Sequence, residues 1–230
     1  MKSTPQNLEV LHEDNHLIIV NKKAGDIVQG DKTGDTPLSE IVKQYLKKKY
    51  DKPGNVFLGV VHRLDRPTSG AVIFAKTSKA LGRLNEQLKN KQIKKTYWTI
   101  VKGKTPQKGS LVHYLKKNPK NNKSTAFKNP VEGSKKGILH FKTLGNSDNY
   151  SLLEIDLETG RHHQIRSQLA KTGFPVKGDL KYGFPRSNPD KGISLHARKL
   201  SFIHPVSKEK IEIKAPLPKG DIWKHFDIKK

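Results

Sequence analysis

Two β-prone runs, residues 55–61 and 71–75, enclose a short polar segment, and this arrangement constrains the fold more than any other feature of the sequence. The enclosed residues, 62–70, read HRLDRPTSG. Because the flanking runs predict strands, we expect this segment to be a short, ordered connection on a buried scaffold. Such a connection can hold its side chains still, so it is a candidate functional site.

The connection places one carboxylate, Asp65, between two guanidinium groups, Arg63 and Arg66. Pro67 restricts the backbone, and Gly70 permits a tight exit. A carboxylate between cations stays ionised, and it suits nucleophilic attack on, or proton abstraction from, a negatively charged substrate. The alternative is a surface turn with an incidental Arg–Asp pair, which explains most isolated R-x-D patterns.

The charge of the chain predicts a polyanionic partner. Lys and Arg number 45 against 21 Asp and Glu, a formal net charge of +24. The lysines are dispersed and do not form one basic amphipathic helix, so RNA or DNA fits better than a membrane surface. The alternative is that the excess of lysine only keeps the protein in solution.

Length and composition favour one compact domain. We expect a flexible N-terminus at residues 1–7 and a single catalytic domain at 8–230, without a separate N-terminal RNA-binding domain. No apolar run of membrane-spanning length and no signal peptide is recognisable, which predicts a cytoplasmic protein. The chain has no Cys, and none of its ten His forms an H-x-x-x-H pair on a predicted helix, so no metal site is predicted.

The hydrophobic pattern predicts an α+β fold. Apolar runs predict hairpins at residues 8–21 and 138–157 and single strands at 94–103 and 210–214. Predicted helices begin after an N-cap at Thr36, at residue 77 or 78, and at His163. Residues 104–137, with the lysine-rich stretch 116–123, are predicted to be an exposed loop that either contacts RNA backbone or is simply solvated.

The segment 62–70 resembles the H-R-L-D-x-x-T-S-G signature of the RluA-like RNA pseudouridine synthases at every specified position. Further motifs of that family are similar to residues 95–103 (K-x-Y-x-x-x-V-x-G), 159–166 (T-G-R-x-H-Q-I-R), 178–183 (G-D-x-x-Y-G) and 195–205 (L-H-A-x-x-L-x-F-x-H-P). A weaker match at 21–28 has Lys23 where the family has Pro. The resemblance extends from about residue 8 to 215, nearly the whole chain.

This resemblance implies a mixed, largely antiparallel sheet with flanking helices and a central cleft. It implies an isomerase that converts selected uridines of ribosomal or transfer RNA to pseudouridine, with RNA as partner. No cofactor is required, no obligatory protein partner is expected, and the expected state is a monomer.

The resemblance also assigns roles to individual residues. Asp65 is the catalytic residue, Arg63 enters the space that a flipped-out uridine leaves, and Tyr97 stacks on the base. Arg166 pairs with the catalytic aspartate. Two further members of the signature, His62 and Arg66, are expected to bind the substrate.

Some of these residues have ordinary alternative explanations. Without the resemblance, Tyr97 is a core or cross-strand residue, and the Arg/His cluster at residues 161–166 is a common anion site at a helix start. Gln168 stands where many relatives carry His. This difference is expected to affect the contacts with the substrate and to leave the chemistry unchanged.

Two other classes of function remain open. The first is a non-catalytic RNA-binding or ribosome-assembly protein, against which the intact set of Asp65, Tyr97 and Arg166 argues. The second is a nuclease that uses His and Asp, for which the sequence offers no recognisable metal cluster or paired His.

Overall fold

The computed structural model describes residues 2–31 and 33–226, and of Asp221 it describes the backbone alone. Contacts divide the chain into two compact units. Unit 1 comprises residues 1–95 and 197–218, and unit 2 comprises residues 96–196 and 219–230. In both units most strand pairs are antiparallel and helices are few, so the predicted α+β class is confirmed.

Unit 1 contains a sheet with two helices. Its strands are β1 (Val10–Glu13), β2 (Leu17–Lys22), β3 (Gly59–Val60), β4 (Ser69–Ala75), most of β10 (Leu195–Ile203) and β11 (Lys210–Lys214). The neighbours run in the order β1, β2, β4, β10, with β3 on β4 and β11 on β10. Its helices are α1 (Leu38–Lys49) and α2 (Ser78–Lys89).

The two central strands of unit 1 form the core on which the candidate loop rests. Every residue of β4 is buried, and β2 is buried except at Asn21. These strands pair antiparallel from Leu17 with Ala75 to Lys22 with Gly70. The loop at residues 62–70 therefore enters β4 at the end of a fully buried hydrogen-bonded ladder, as the sequence predicts.

Unit 2 contains antiparallel strands and short helices. Its strands are β5 (Lys94–Lys102), β6 (Lys108–Asn118), β7 (Lys123–Phe127), β8 (Lys135–Asn146) and β9 (Tyr150–Leu157). They neighbour each other in the order β5, β9, β8, β6, β7. The helices are α3 (Gln164–Lys171), α4 (Asp221–Lys224) and a 3-10 helix (Leu180–Tyr182).

Several predicted elements are confirmed. The hairpin of β1 and β2, the hairpin of β8 and β9, and the strands β5 and β11 lie where the pattern predicts them. Helix α2 begins after Thr77, whose side chain accepts a hydrogen bond from the Ala80 N–H at 3.2 Å. This is the N-cap interaction that the sequence favours.

Three predictions were wrong in detail. The segment 104–137 is largely a β-hairpin, β6 paired with β7, because cross-strand backbone hydrogen bonds organise it and apolar side chains such as Leu115 and Ala126 are buried. Of the β-prone run 55–61 only Gly59 and Val60 form a strand. Helix α1 is preceded by Pro37, without a side-chain cap from Thr36.

The segment before β1 contacts unit 1 at Ser3. The buried Ser3 donates hydrogen bonds to Asp26, from its backbone nitrogen at 3.1 Å and its hydroxyl at 2.6 Å. These bonds attach residue 3 to the turn that follows β2. The flexibility assigned to residues 1–7 concerns motion and stays a prediction.

Candidate active site

The loop before β4 presents its charged residues outward and its apolar residues inward. His62 and Leu64 are buried, Arg63 is exposed, and Asp65 is half-buried. This alternation follows from extended backbone, in which successive side chains point to opposite sides. Arg63 and Asp65, two residues apart, therefore lie on the same side of the loop.

A tight turn follows the aspartate. The Thr68 N–H donates to the Asp65 carbonyl oxygen at 3.0 Å, which closes a four-residue turn around Arg66 and Pro67. At Gly70 the backbone has a φ of +118°, and an added Cβ would lie 2.4 Å from the Ala197 carbonyl oxygen. Glycine is required at this position, as the sequence analysis expects of the loop exit.

A buried lysine holds the loop from its inner side. Lys22, the last residue of β2, has no exposed surface, and its Nζ donates to the carbonyl oxygens of Thr68 at 2.6 Å, Arg66 at 3.0 Å and Lys23 at 3.0 Å. Burial lowers the pKa of Lys22 to about 7, against the opposing charges of Asp26 and Asp65. The ammonium group thus fixes two carbonyl groups of the turn that follows Asp65.

His62 is a second inward anchor of the loop. Its Nε2 accepts a hydrogen bond from the Ile73 N–H of β4 at 3.3 Å. Burial, together with the charge of Lys95, lowers the pKa of His62 to about 3. The imidazole is therefore neutral at physiological pH. Its position under the loop supports the loop backbone, whereas the sequence analysis assigned His62 to substrate binding.

Arg66 points outward and forms an ion pair. Its Nη2 lies 2.5 Å from the Asp35 carboxylate, which also accepts a hydrogen bond from Lys2 at 2.6 Å. Both partners are partly exposed, so the pair contributes little to stability. The side chain of Arg66 is thus close to the surface.

Unit 2 carries the other two predicted site residues. Tyr97 is buried on β5, opposite Ile155 of β9. Arg166 is buried in the first turn of α3. Its Nε and Nη2 donate to the two carboxylate oxygens of Asp179, at 2.7 Å and 2.9 Å. This bidentate pair fixes the plane of the guanidinium group and uses two of its five N–H groups.

The match to a protein-family model decides the identification. The model described as RNA pseudouridylate synthase matches residues 16–171, which include the loop at 62–70, Tyr97 and Arg166. The chain belongs to the RNA pseudouridine synthase family.

Relatives at moderate identity agree with this family. An uncharacterized RNA pseudouridine synthase of Synechocystis sp. is 38% identical over 217 residues, which cover 92% of this chain and 66% of that protein. The uncharacterized RNA pseudouridine synthase YhcT of Bacillus subtilis is 35% identical over 92% of this chain and 69% of its own length. The ribosomal large subunit pseudouridine synthase D of Neisseria meningitidis is 34% identical over 95% of this chain and 60% of its own length. The chain thus spans roughly two thirds of the length of these relatives.

Solved structures agree on the fold. The human RNA pseudouridylate synthase domain-containing protein 4 has a TM-score of 0.77 at 21% identity, over 92% of this chain and 89% of that one. The human RNA pseudouridylate synthase domain-containing protein 1 has a TM-score of 0.74 at 23% identity, over 95% of this chain and 86% of that one. The pseudouridine synthase fold that the resemblance implies is therefore confirmed.

In this member of the pseudouridine synthase family, a cluster around Tyr182 was not predicted from the sequence. The Tyr182 hydroxyl accepts a hydrogen bond from the Ser124 N–H at 2.8 Å and lies 2.9 Å from Nδ1 of His163. The Arg166 guanidinium lies over the Tyr182 ring, 5.0 Å from its centroid. Tyr182 thereby joins β7, the start of α3 and the 3-10 helix. The motif G-D-x-x-Y-G contains both Asp179 and Tyr182, so this signal was present in the sequence.

Gln168 is an interior residue. It has no exposed surface, and its side-chain nitrogen lies within 3.2 Å of the carbonyl oxygens of Leu111 and Gly137 and of Nδ1 of His113. These contacts attach α3 to β6 and β8. Gln168, where many relatives carry His, therefore contributes to the packing of α3, and its expected bearing on substrate contacts stays a prediction.

The described residues contain neither a cluster of metal-ligating side chains nor a helix that could span a membrane. Across 2–31 and 33–226, no three His, Asp or Glu side chains are grouped so that they could ligate a metal ion. In the same part of the chain, every helix is too short or too polar to traverse a bilayer.

Proposed function

We propose that this chain is an RNA pseudouridine synthase that isomerises specific uridines in ribosomal or transfer RNA, with Asp65 as the catalytic residue. The observation that carries the proposal is the anchored loop, in which buried Lys22 and His62 hold the backbone while Arg63 and Asp65 point outward. Family membership supports the same reaction. The ribosomal RNA synthase of Neisseria supports a ribosomal substrate.

The reaction is an internal rearrangement of a nucleoside. The bond from C1′ of the ribose to N1 of uracil breaks, the base rotates, and C1′ bonds to C5. N1 gains a proton and C5 loses one, so the atomic composition is unchanged. One carboxylate suffices, either as a nucleophile at C1′ or as a base that removes a proton from the sugar. No cofactor is needed.

The uridine must first leave the helical stack, because its glycosidic bond is inaccessible there. Arg63 is exposed on the same side of the loop as Asp65, and we assign it to the space that the base vacates. Tyr97 stacks on the extruded base. We assign Arg166, whose guanidinium plane is fixed by Asp179, to substrate binding. Arg66 exchanges Asp35 for a phosphate of the RNA.

The test replaces the reactive oxygen and keeps the shape of the side chain. Asp65→Asn should bind RNA about as well as the wild type, while its turnover should fall to background, because no other carboxylate of the loop can act. Turnover is measured as tritium release from RNA labelled at C5 of uridine, beside a binding titration. Asp148→Asn, which changes an exposed aspartate in unit 2, is the matched control and should retain wild-type turnover.

The outcomes separate the candidate functions. Wild-type tritium release by Asp65→Asn would remove Asp65 from catalysis. Absence of release by the wild type on all cellular RNA would favour the non-catalytic RNA-binding function. Shortening of the RNA during incubation would identify a nuclease.

A further inference from the structure

The end of helix α1 carries an exposed aromatic ring surrounded by lysines. Tyr50, the residue after α1, is 47% exposed. The ammonium groups of Lys76, Lys49 and Lys52 lie 4.9, 5.3 and 5.9 Å from the centroid of its ring. Large aromatic side chains are usually buried, and this one is held at the surface within a cationic environment.

The orientation of this ring is fixed by a buried carboxylate. The Tyr50 hydroxyl donates to Glu13 at 2.8 Å, and the same carboxylate accepts hydrogen bonds from Lys49 at 2.8 Å and Lys76 at 3.0 Å. Burial by itself would raise the pKa of Glu13, but these three donors outweigh it and lower the pKa to about 2. Glu13 therefore stays ionised, and the ring needs no reordering when a ligand stacks on it.

The surroundings of the ring are strongly positive. The last turn of α1 and the residues after it carry three exposed lysines, Lys47, Lys48 and Lys52. None of the three has an ion-pair partner within the described part of the chain. Lys49 and Lys76 both pair with Glu13, and Asp51 is the one acidic residue within the stretch 47–52. We call these seven residues and Tyr50 the Tyr50 patch.

We infer that the Tyr50 patch binds an unpaired stretch of the substrate RNA, with a base stacked on Tyr50 and phosphates on the surrounding lysines. An exposed aromatic ring within a basic surface is the combination that proteins use for single-stranded nucleic acid. A base-paired stem fits less well, since its bases are stacked on each other. The inference rests on the proposed function, since it takes RNA as the substrate.

The position of the patch sets how far such an RNA must extend. Helix α1 has 12 residues and is therefore about 18 Å long. Its first residue, Leu38, donates to the Ile27 carbonyl oxygen, and nearby Gly25 donates to the Arg66 carbonyl oxygen of the candidate loop. Tyr50 is at the opposite end of the helix. The patch thus binds RNA flanking the target uridine and is separate from the reacting nucleotide.

The test compares two fluorescein-labelled RNA hairpins with the same stem, one of which has an unpaired uridine flank. Tyr50→Leu should weaken binding of the flanked hairpin about tenfold and leave the blunt hairpin unchanged, because stacking is lost only where unpaired bases are present. Tyr50→Phe keeps the ring and should bind both within about twofold of the wild type. Phe57→Leu is the matched control, since Phe57 is 48% exposed and no lysine of the described residues lies over its ring.

A second pair of variants tests the lysines. Replacing Lys47, Lys48 and Lys52 by Gln should reduce the slope of log affinity against log salt by about two to three for the flanked hairpin. The same replacement of Lys208, Lys210 and Lys214, which lie at and beside β11, should change this slope less. A circular dichroism melt shows whether Tyr50→Leu folds. If it does not fold, the two lysine variants still test the inference.

Several results would overturn the inference. These are unchanged binding of the flanked hairpin by Tyr50→Leu, an equal loss for both hairpins, or equal salt slopes in the two lysine variants. Tritium release tests the proposed function separately. On a flanked substrate Tyr50→Leu should raise KM and leave kcat unchanged, whereas failure of the wild type to release tritium would contradict the proposed function and leave the binding comparison valid.

Discussion

Each of the two units holds its candidate site residues with a buried cation, but the two cations have different partners. In unit 1 the Lys22 ammonium donates to neutral backbone carbonyls of the loop. In unit 2 the Arg166 guanidinium pairs with a carboxylate, Asp179. Carbonyl dipoles compensate a charge only partly, so burial lowers the pKa of Lys22 to about 7. The comparison indicates that Lys22 shapes a backbone, whereas Asp179 orients a side chain.

Because the two cations have different partners, mutating Asp179 and mutating Lys22 should change stability by different amounts. Removal of Asp179 leaves a buried charge without its carboxylate. Removal of the Lys22 ammonium leaves only neutral carbonyl groups and also removes a charge whose burial is unfavourable. The first change should therefore cost more free energy of unfolding than the second.

The largest expected effect is that of Asp179→Ala. We expect the free energy of unfolding to fall by about 3–5 kcal/mol, the usual cost of removing one partner of a buried ion pair. Urea unfolding followed by circular dichroism measures it. The control, Asp190→Ala, removes an exposed carboxylate and should change stability by less than about 1 kcal/mol.

A double variant sharpens this prediction. Arg166→Met combined with Asp179→Leu removes both charges and should recover most of the lost stability, because the guanidinium that loses Asp179 is removed together with it. Tritium release should remain low in this variant, since the guanidinium is absent. If the double variant is as unstable as Asp179→Ala, buried charge is not the cause of the loss.

The second effect is that of Lys22→Met, which keeps the length of the side chain and removes the ammonium. We expect the free energy of unfolding to fall by about 1–3 kcal/mol, since the Thr68 and Lys23 carbonyls lose a donor while the Arg66 carbonyl keeps the Gly25 N–H. The loop carrying Asp65 should shift. The kcat for tritium release should therefore fall while the affinity for RNA is retained.

The control for this variant is Lys79→Met, which removes an exposed ammonium from α2 and should alter neither kcat nor stability appreciably. A loss of stability by Lys22→Met that equals that of Asp179→Ala would break the comparison between the two cations. So would an unchanged kcat, because the loop geometry would then not depend on Lys22.

The smallest effect concerns pH and the neutral anchor of the loop. The pKa of His62 is about 3 in the folded protein and 6.5 without the influence of the fold. Between these values the unfolded chain binds more protons, so stability falls as pH falls from about 6.5 to about 3. The expected loss is about 1 kcal/mol between pH 6.5 and pH 5.5.

The measurement is the free energy of unfolding at several pH values for the wild type and for His62→Leu. The variant should lack this part of the acid dependence, even if its stability is lower throughout. His140→Leu, which removes an exposed imidazole from unit 2, is the control variant. A wild-type slope in His62→Leu would show that His62 is not neutral and buried beneath the loop.

The sequence by itself determined much of the local structure and the position of the candidate loop. Periodic apolar residues predicted α2, α3 and most hairpins, because amphipathic patterns act within a few residues of the chain. The signature at 62–70 identified Asp65 and its neighbours. Gly70 was recognised as a tight exit, and its positive φ agrees.

The tertiary structure decided which polar residues are buried and what they contact. Strand β6 of the hairpin formed by β6 and β7 also pairs with β8. The local pattern of residues in β6 does not reveal this pairing. Lys22 and Gln168 read as surface residues from their chemistry, yet both are fully buried because carbonyl groups from other elements surround their polar atoms. Burial of a polar group depends on partners far along the chain, and those partners are assembled only when the chain folds.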